Sequence, residues 1–214
     1  MQLHFELNPK NPFSIDYFVP HTGVLDAIAS IEQTVNTYLN DKSTFELLCF
    51  SGPKGSGRTH LIEAYRSRLS EAGVSKVLMP AFDFDVEPRE VEVAQFVSSY
   101  EETKKRGGIL FVKSLRKVKE VSSNPHVQSR LLNGIIANLS LPSEAELEAL
   151  VASIAERRNL RLPERSVSYL LKRTAKDSLS ISQIIKQIDE LALSTGKPAS
   201  LSTVRRVLSE SVIF

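Results

Sequence analysis

Apolar positions first recur at helical spacing just after Gly23: Leu25, Ile28, Ile31, Val35 and Leu39 form one stripe that stops before the polar residues 40–44. This predicts an amphipathic helix. Residues 45–50 (FELLCF) are almost continuously apolar, Gly52 follows, and Leu61, Ile62, Tyr65 and Leu69 then resume the helical period. That order reads as strand, glycine loop and helix. A second apolar run at 76–86 (KVLMPAFDFDV), interrupted by Pro80, predicts another strand. Residues 88–105 read as a helix through Val91, Ala94, Phe96, Val97 and Tyr100, and Gly107-Gly108 stop it before a strand at 109–112. The last predicted strand is 135–141 (IIANLSL). Strands and helices alternating in this way point to a mostly parallel sheet covered by helices.

The pattern changes after Pro142. Ser143 and Glu146 have the spacing of a capping box, and Leu147, Leu150, Val151 and Ile154 follow at helical intervals. Pro163 stands where a first-turn proline belongs, ahead of Val167, Leu170 and Leu171. Ile181, Ile184, Ile185 and Ile188 make another stripe, and Ser202 is placed to cap a helix carrying Val204, Val207 and Leu208. The predicted organisation is a leader over 1–20, an α/β core over 21–142 and a helical domain over 143–214. Pro9, Pro12 and Pro20 argue against helix or central strand in the leader, which is expected to run extended over the surface.

Composition narrows the function classes. Hydrophobic residues make up 42% and charged residues 24%, near the averages of globular domains, so disorder is not needed to explain the chain. No run reaches the roughly 18–20 apolar residues of a spanning helix, and the first 20 residues lack the pattern of a secretory signal. A cytoplasmic protein without a membrane partner is expected. A formal charge of +2, from 27 basic and 25 acidic residues, is too balanced to argue for direct nucleic-acid binding. Contact with DNA is expected only through another protein. The one cysteine, Cys49, excludes an intrachain disulfide, and His4, His21, His60 and His126 show no metal-ligand spacing.

Residues 52–59 (GPKGSGRT) fit the phosphate-loop pattern G-x-x-x-x-G-K-[ST] with Arg58 in the lysine's place. Between a strand and a helix, such a loop turns several backbone amides and the helix's positive end toward one point, which suits a nucleotide phosphate. The alternative is an ordinary glycine turn. Arg58 keeps the charge but carries it on a longer planar fork, which alters the grip on a γ-phosphate. Thr59 supplies the hydroxyl that such loops place on magnesium.

Further segments share an order. QLHFEL at 2–7 resembles a sliding-clamp-binding peptide, FSIDYFVP at 13–20 precedes the first helix, and GPKGSGRTHL follows in place. HVQSRLLNG at 126–134 is similar to a segment whose arginine reaches a partner's nucleotide, and LRLPERSVSYLLKR at 160–173 to the start of a helical lid. Over nearly the whole chain this order resembles the Hda family, AAA+ relatives of the replication initiator DnaA that lack its DNA-binding domain.

The resemblance implies an AAA+ P-loop NTPase core with a mostly parallel sheet, followed by a small all-helical lid. It implies a regulator of replication initiation. Such a protein docks on the sliding clamp, the beta subunit of DNA polymerase III, through Gln2, Leu3, Phe5 and Leu7, and promotes ATP hydrolysis by DnaA through the finger Arg130. The nucleotide would be held by Val19, Gly52, Pro53, Lys54, Gly55, Ser56, Gly57, Arg58, Thr59 and His60, with Mg2+ on Thr59 and on Asp83 or Asp85. ADP is favoured over ATP, intrinsic ATPase activity is weak or absent, and a homo-oligomer is allowed.

Several positions depart from the family. The stretch between the phosphate loop and GGILFVKS is about one helix and one strand short. Only Asp83 and Asp85, in FDFD, stand where Walker B acids are expected, and one of the two is expected to face the site. Lys113 and Ser114 form the polar end of the sensor 1 strand, and apolar Leu179 takes the sensor 2 position. These departures leave open a second function, a nucleotide-independent AAA+-like adaptor, and a third, a self-contained ATPase. At residue level, 2–7 also reads as an edge strand and Arg130 as an arginine paired within its own helix. Asp83 and Asp85 also read as solvated strand-end acids. Lys113, Arg116, Lys117 and Lys119 read as a basic edge facing solvent or a partner protein.

Overall fold

A computed structural model describes Ile15 and residues 18–211 of the chain; Gln2, Leu3, Phe5 and Leu7 lie outside the described residues. The stripe after Gly23 forms α1 (Thr22–Asn40), and FELLCF forms β1 (Phe45–Ser51). After the glycine loop come α2 (Arg58–Glu71), β2 (Ala81–Asp83), α3 (Glu90–Arg106) and β3 (Gly108–Ser114). The core closes with α4 (Pro125–Leu132) and β4 (Ile135–Asn138). Four helices follow: α5 (Glu144–Glu156), α6 (Glu164–Leu171), α7 (Ser178–Thr195) and α8 (Leu201–Ser211).

The four strands are parallel in the order β2-β3-β1-β4. β1 is central, pairing with β3 from Phe45↔Gly108 to Ser51↔Ser114 and with β4 from Leu48↔Ile135 to Ser51↔Asn138. Successive strand residues point to opposite faces, so a strand covered on both sides must be apolar throughout. Leu48 and Phe50 join Ile109 and Phe111 under α1 and α2, through Ile31, Val35, Leu61 and Tyr65. Leu47 and Cys49 join Leu110 and Val112 on the other face, against Phe96 and Tyr100 of α3 and Val127 and Leu131 of α4. Each fully buried side chain of this size is worth about 1.5–3 kcal/mol relative to exposure. Cys49 belongs to this core, and burial pushes its thiol up to about 12.

Helices α5–α8 surround a separate core made by Leu147, Leu150, Val151, Leu170, Ile181, Ile185 and Ile188 with residues of α8. The Ser143–Glu146 capping box is formed. Glu146 also accepts the backbone amide of Thr22 at 2.7 Å, tying the start of α1 to the start of α5. Among the described residues no helix is long and apolar enough to cross a membrane.

Five expectations need correction. The run 76–86 is not one strand: Pro80, which has no amide to give the sheet, separates a short 3-10 turn at Lys76–Leu78 from the three-residue β2. Its carbonyl still accepts from Phe111, and Phe84 donates to Lys113 beyond the strand. β4 ends at Asn138: Leu139 still donates to the Ser51 carbonyl, but the Ser140 amide turns away to the Gly23 carbonyl. Pro163 is the N-cap of α6 rather than its first residue. α8 begins at Leu201, so Ser202 lies inside it; Ser200, just ahead, accepts the Thr203 amide at 3.4 Å. The leader is not wholly superficial, since Phe18 is buried in the core cluster of α1 and α2.

Candidate functional site

The glycine loop leaves the carboxyl end of β1 and turns directly into α2. Gly57 is the N-cap of α2 at φ 92°, a left-handed conformation that side chains strain to adopt. A Cβ there would also lie 2.5 Å from the Phe18 ring. Gly55, at φ 86°, lies under Asp177 of the lid, whose Cβ would stand 2.4 Å from an added Cβ. Asp177 caps α7 by accepting from the Ser180 amide at 2.9 Å. The lid is thus seated on the crest of the loop.

A cleft of about 1280 Å³ opens between this loop, Phe18 and Val19, and the lid. It is larger than the roughly 300–1,000 Å³ of typical small-ligand sites and can admit a nucleotide. Its walls differ in character. Val19, Leu150 and Ile154 give an apolar end, while basic residues outnumber acidic ones in the lining seven to two. A chain of nearly balanced charge has therefore concentrated cations where an anion would sit.

Of the candidate nucleotide contacts, Val19, Lys54, Gly55, Gly57, Arg58, Thr59 and His60 line the cleft. Gly52, Pro53 and Ser56 do not; Gly52 donates to the Ser114 carbonyl at 3.1 Å and Ser56 to the Pro53 carbonyl at 3.2 Å. Phe18 packs in the core while Val19 packs against the lid cluster, so this dipeptide joins the two. His60 meets the Phe18 ring edge-on at 5.4 Å. Leu179 lines the cleft, in the first turn of α7, and brings no cation.

Arg157 and Arg158 also line the cleft, and sequence reasoning missed them. They follow α5, where a helix end presents its charged residues to whatever lies below. Arg157 donates to the Phe18 carbonyl at 3.3 Å, and Arg158 pairs with Asp189 at 3.6 Å. The ERRN pair after an apolar stripe was the available signal.

The magnesium candidates do not come together as a cation site. Asp85 binds the guanidinium of Arg58, whose side chain is only 7% exposed; the second contact of this fork is 3.3 Å long. Asp83 pairs with Lys113 at 2.9 Å and accepts the Asp85 amide at 3.0 Å. Partial burial acts to raise the Asp83 pKa, but the bonds from Lys113 and Asp85 and the charges of Lys113 and Arg58 outweigh it and hold it below the usual value. Asp85 lines the cleft and Asp83 does not. Thr59 is exposed at the start of α2. No cluster of three or more His, Cys, Asp or Glu side chains suited to a metal occurs among the described residues.

Arg130 lies elsewhere, on α4. Asn124 caps that helix by accepting the His126 amide at 2.9 Å. Glu87, after β2, accepts the Ser123 amide at 2.7 Å and fixes the approach to α4. The Arg130 guanidinium donates to Glu101 of α3 at 2.7 Å and to the His126 carbonyl at 2.9 Å, and lies 5.2 Å from the centre of the Tyr100 ring. Its partner is therefore across the surface on α3 as well as in its own helix. The basic run divides: Lys113 faces the cleft, and Arg116 pairs with Glu87 at 3.4 Å.

A parallel sheet covered on both faces, a glycine loop at the end of its central strand and a helical lid over that loop make up an AAA+-type fold. Within that class the fold is DnaA-like: the chain is similar to domain III of the replication initiation protein DnaA from Thermotoga maritima, with a TM-score of 0.72, 16% identity, and 94% of this chain and 98% of that one covered. It is also similar to a replication initiator DnaA bound to AMPPCP and single-stranded DNA, at TM-score 0.64 and 17% identity over 89% of this chain and 69% of that one. The Thermotoga maritima RuvB Holliday junction branch migration motor matches at TM-score 0.64 and 14% identity over 92% of this chain and 72% of that one. Identities this low establish the fold alone. No family model matches the sequence, and no curated protein sequence matches it.

Proposed function

We propose that this protein is a DNA-replication regulator similar to Hda, which holds a nucleotide in the cleft under its lid and acts on DnaA. The observation that carries this reading is the DnaA-like fold over nearly the whole chain, with a cation-lined cleft at its glycine loop. ADP binds with its phosphates over the loop amides and Arg58, and its base against Val19, Leu150 and Ile154. The bound nucleotide sets the lid rather than turning over. The segment at 2–7 docks on the sliding clamp, which brings the protein to DNA without DNA contacts of its own. Arg130 then reaches the γ-phosphate of DnaA's ATP, where charge developing in the transition state makes an arginine worth orders of magnitude in rate. To do so it exchanges the Glu101 carboxylate for phosphate oxygens.

One observation favours the adaptor reading: Arg58, which stands in the place of the phosphate loop's lysine, is already neutralised by Asp85. Calorimetry separates the two. Under the first reading ADP binds in the micromolar range or tighter, and under the adaptor reading it does not bind. Gln2→Ala, or Leu3→Ala with Phe5→Ala, tests docking; unchanged affinity for purified clamp removes the peptide from the proposal.

A further inference from the structure

We infer that the cleft takes its nucleotide as the metal-free diphosphate, the ligand's phosphate displacing Asp85 from Arg58. This rests on the nucleotide reading above and defines the ligand's state.

The acids near the loop are all engaged by groups of the chain itself. Asp85 is on Arg58, Asp83 is on Lys113 at 2.9 Å, and Asp177 caps α7 through Ser180. A magnesium ion needs oxygen ligands whose charge is free to neutralise it, usually one or two carboxylates with the phosphates. Here Asp85, Asp83 and the cleft-lining Asp189 each already neutralise a cation, and Asp177 is taken up by the start of α7. Recruiting Asp85 to a metal would leave the Arg58 guanidinium, 7% exposed, without its counter-charge. A phosphate entering alone creates no such deficit: it provides oxygens for the same planar fork, and Asp85, with 27% of its side chain exposed, turns to water.

Phosphate number follows from the same surroundings. Asp177 rests against Gly55 on the crest of the loop, so a second anion already borders the place where phosphates gather. Leu179 adds no cation at its point of the lid, and of the lid arginines that line the cleft Arg157 is held by the Phe18 carbonyl and Arg158 by Asp189. A γ-phosphate without metal would bring further negative charge toward two carboxylates, whereas a diphosphate is matched by Arg58, Lys54 and the loop amides.

ADP binding to the full chain is measured by calorimetry in EDTA and in magnesium, with wild type and Asp85→Asn. The wild-type affinity should be the same in both buffers within about threefold, and Asp85→Asn should bind about tenfold tighter, because the internal competitor for Arg58 has lost its charge. A larger gain from magnesium, or unchanged or weaker binding by Asp85→Asn, overturns the inference while leaving the nucleotide site in place. The comparison of buffers needs no variant, so it decides even if Asp85→Asn folds poorly. Absence of ADP binding by wild type in either buffer overturns this inference and the nucleotide reading together.

Discussion

Two arginines in this molecule are each held by a carboxylate of the same chain, and their settings differ. Arg58 is 7% exposed against a 27% exposed Asp85, at the floor of a cleft. Arg130 is 21% exposed against a 56% exposed Glu101, on the outer side of α3 and α4. An ion pair near water is worth little and exchanges readily, whereas one removed from water strands its partner when broken. The first therefore behaves as part of a binding site that must be reorganised, and the second as a cation held ready at a surface. The same residue type supports binding in one place and action on a neighbour in the other.

Distortion of the loop should have the largest effect on the Arg58 site. Gly57→Val puts a branched side chain at φ 92° and against Phe18, which should cost about 1–3 kcal/mol from the backbone alone and abolish ADP binding. Thermal melting and calorimetry check both effects; retained binding would place the nucleotide away from this loop. Next comes Arg58→Ala, which should weaken ADP by about 1.5–3 kcal/mol, the usual value of a hydrogen bond to a charged group. Equal affinity in the mutant would make the two arginines alike in having no binding role. Arg130→Ala should leave ADP affinity unchanged and lower stability by only about 0.2–1 kcal/mol, as exposed pairs do. A melting loss as large as that of Arg58→Ala would erase the contrast.

Acid should loosen the seam between core and lid. Burial holds the His21 pKa below its ordinary 6.5 against the opposing charge of Glu146, and neither ring nitrogen has a hydrogen-bond partner. The unfolded chain therefore takes up this proton first, and the contribution of neutral His21 is lost as pH falls below about 6.5. Glu146 is held down to about 2, first by the Ser143 hydroxyl and then by the amides of Thr22 and Ser143. Its contribution is present above its ordinary 4.5 and is lost as pH falls toward about 2. Glu146→Gln should flatten that lower limb of a melting-temperature profile, and an unaltered limb would show that the seam is not held there.

What the sequence made legible was what depends on local pattern. Leu25 to Leu39 announced α1 and FELLCF the central strand; Ser143 and Glu146 announced the start of α5. Each is set by neighbours within a few residues. β2 was misjudged because Pro80 permits pairing on its carbonyl side only, a distinction that needs the partner strand. The glycine loop was equally visible, but the commitments of its charged residues were not. Arg58 and Asp85 are 27 positions apart, and Arg130 and Glu101 29 apart. Nothing in either segment specifies the other. Arg157 and Arg158 escaped notice for a related reason, since only the closure of α5 over Phe18 turns the end of a solvated helix into a cleft wall.

The most direct measurement is the conversion of ATP to ADP on DnaA in the presence of clamp loaded on DNA, with wild-type protein, Arg130→Ala and Arg130→Lys. Wild type should stimulate conversion, Arg130→Ala should not, and lysine should restore little, because one ammonium cannot reproduce the fork of a guanidinium on phosphate oxygens. Full stimulation by Arg130→Ala would contradict the finger assignment, and no stimulation by wild type would contradict the proposed action on DnaA.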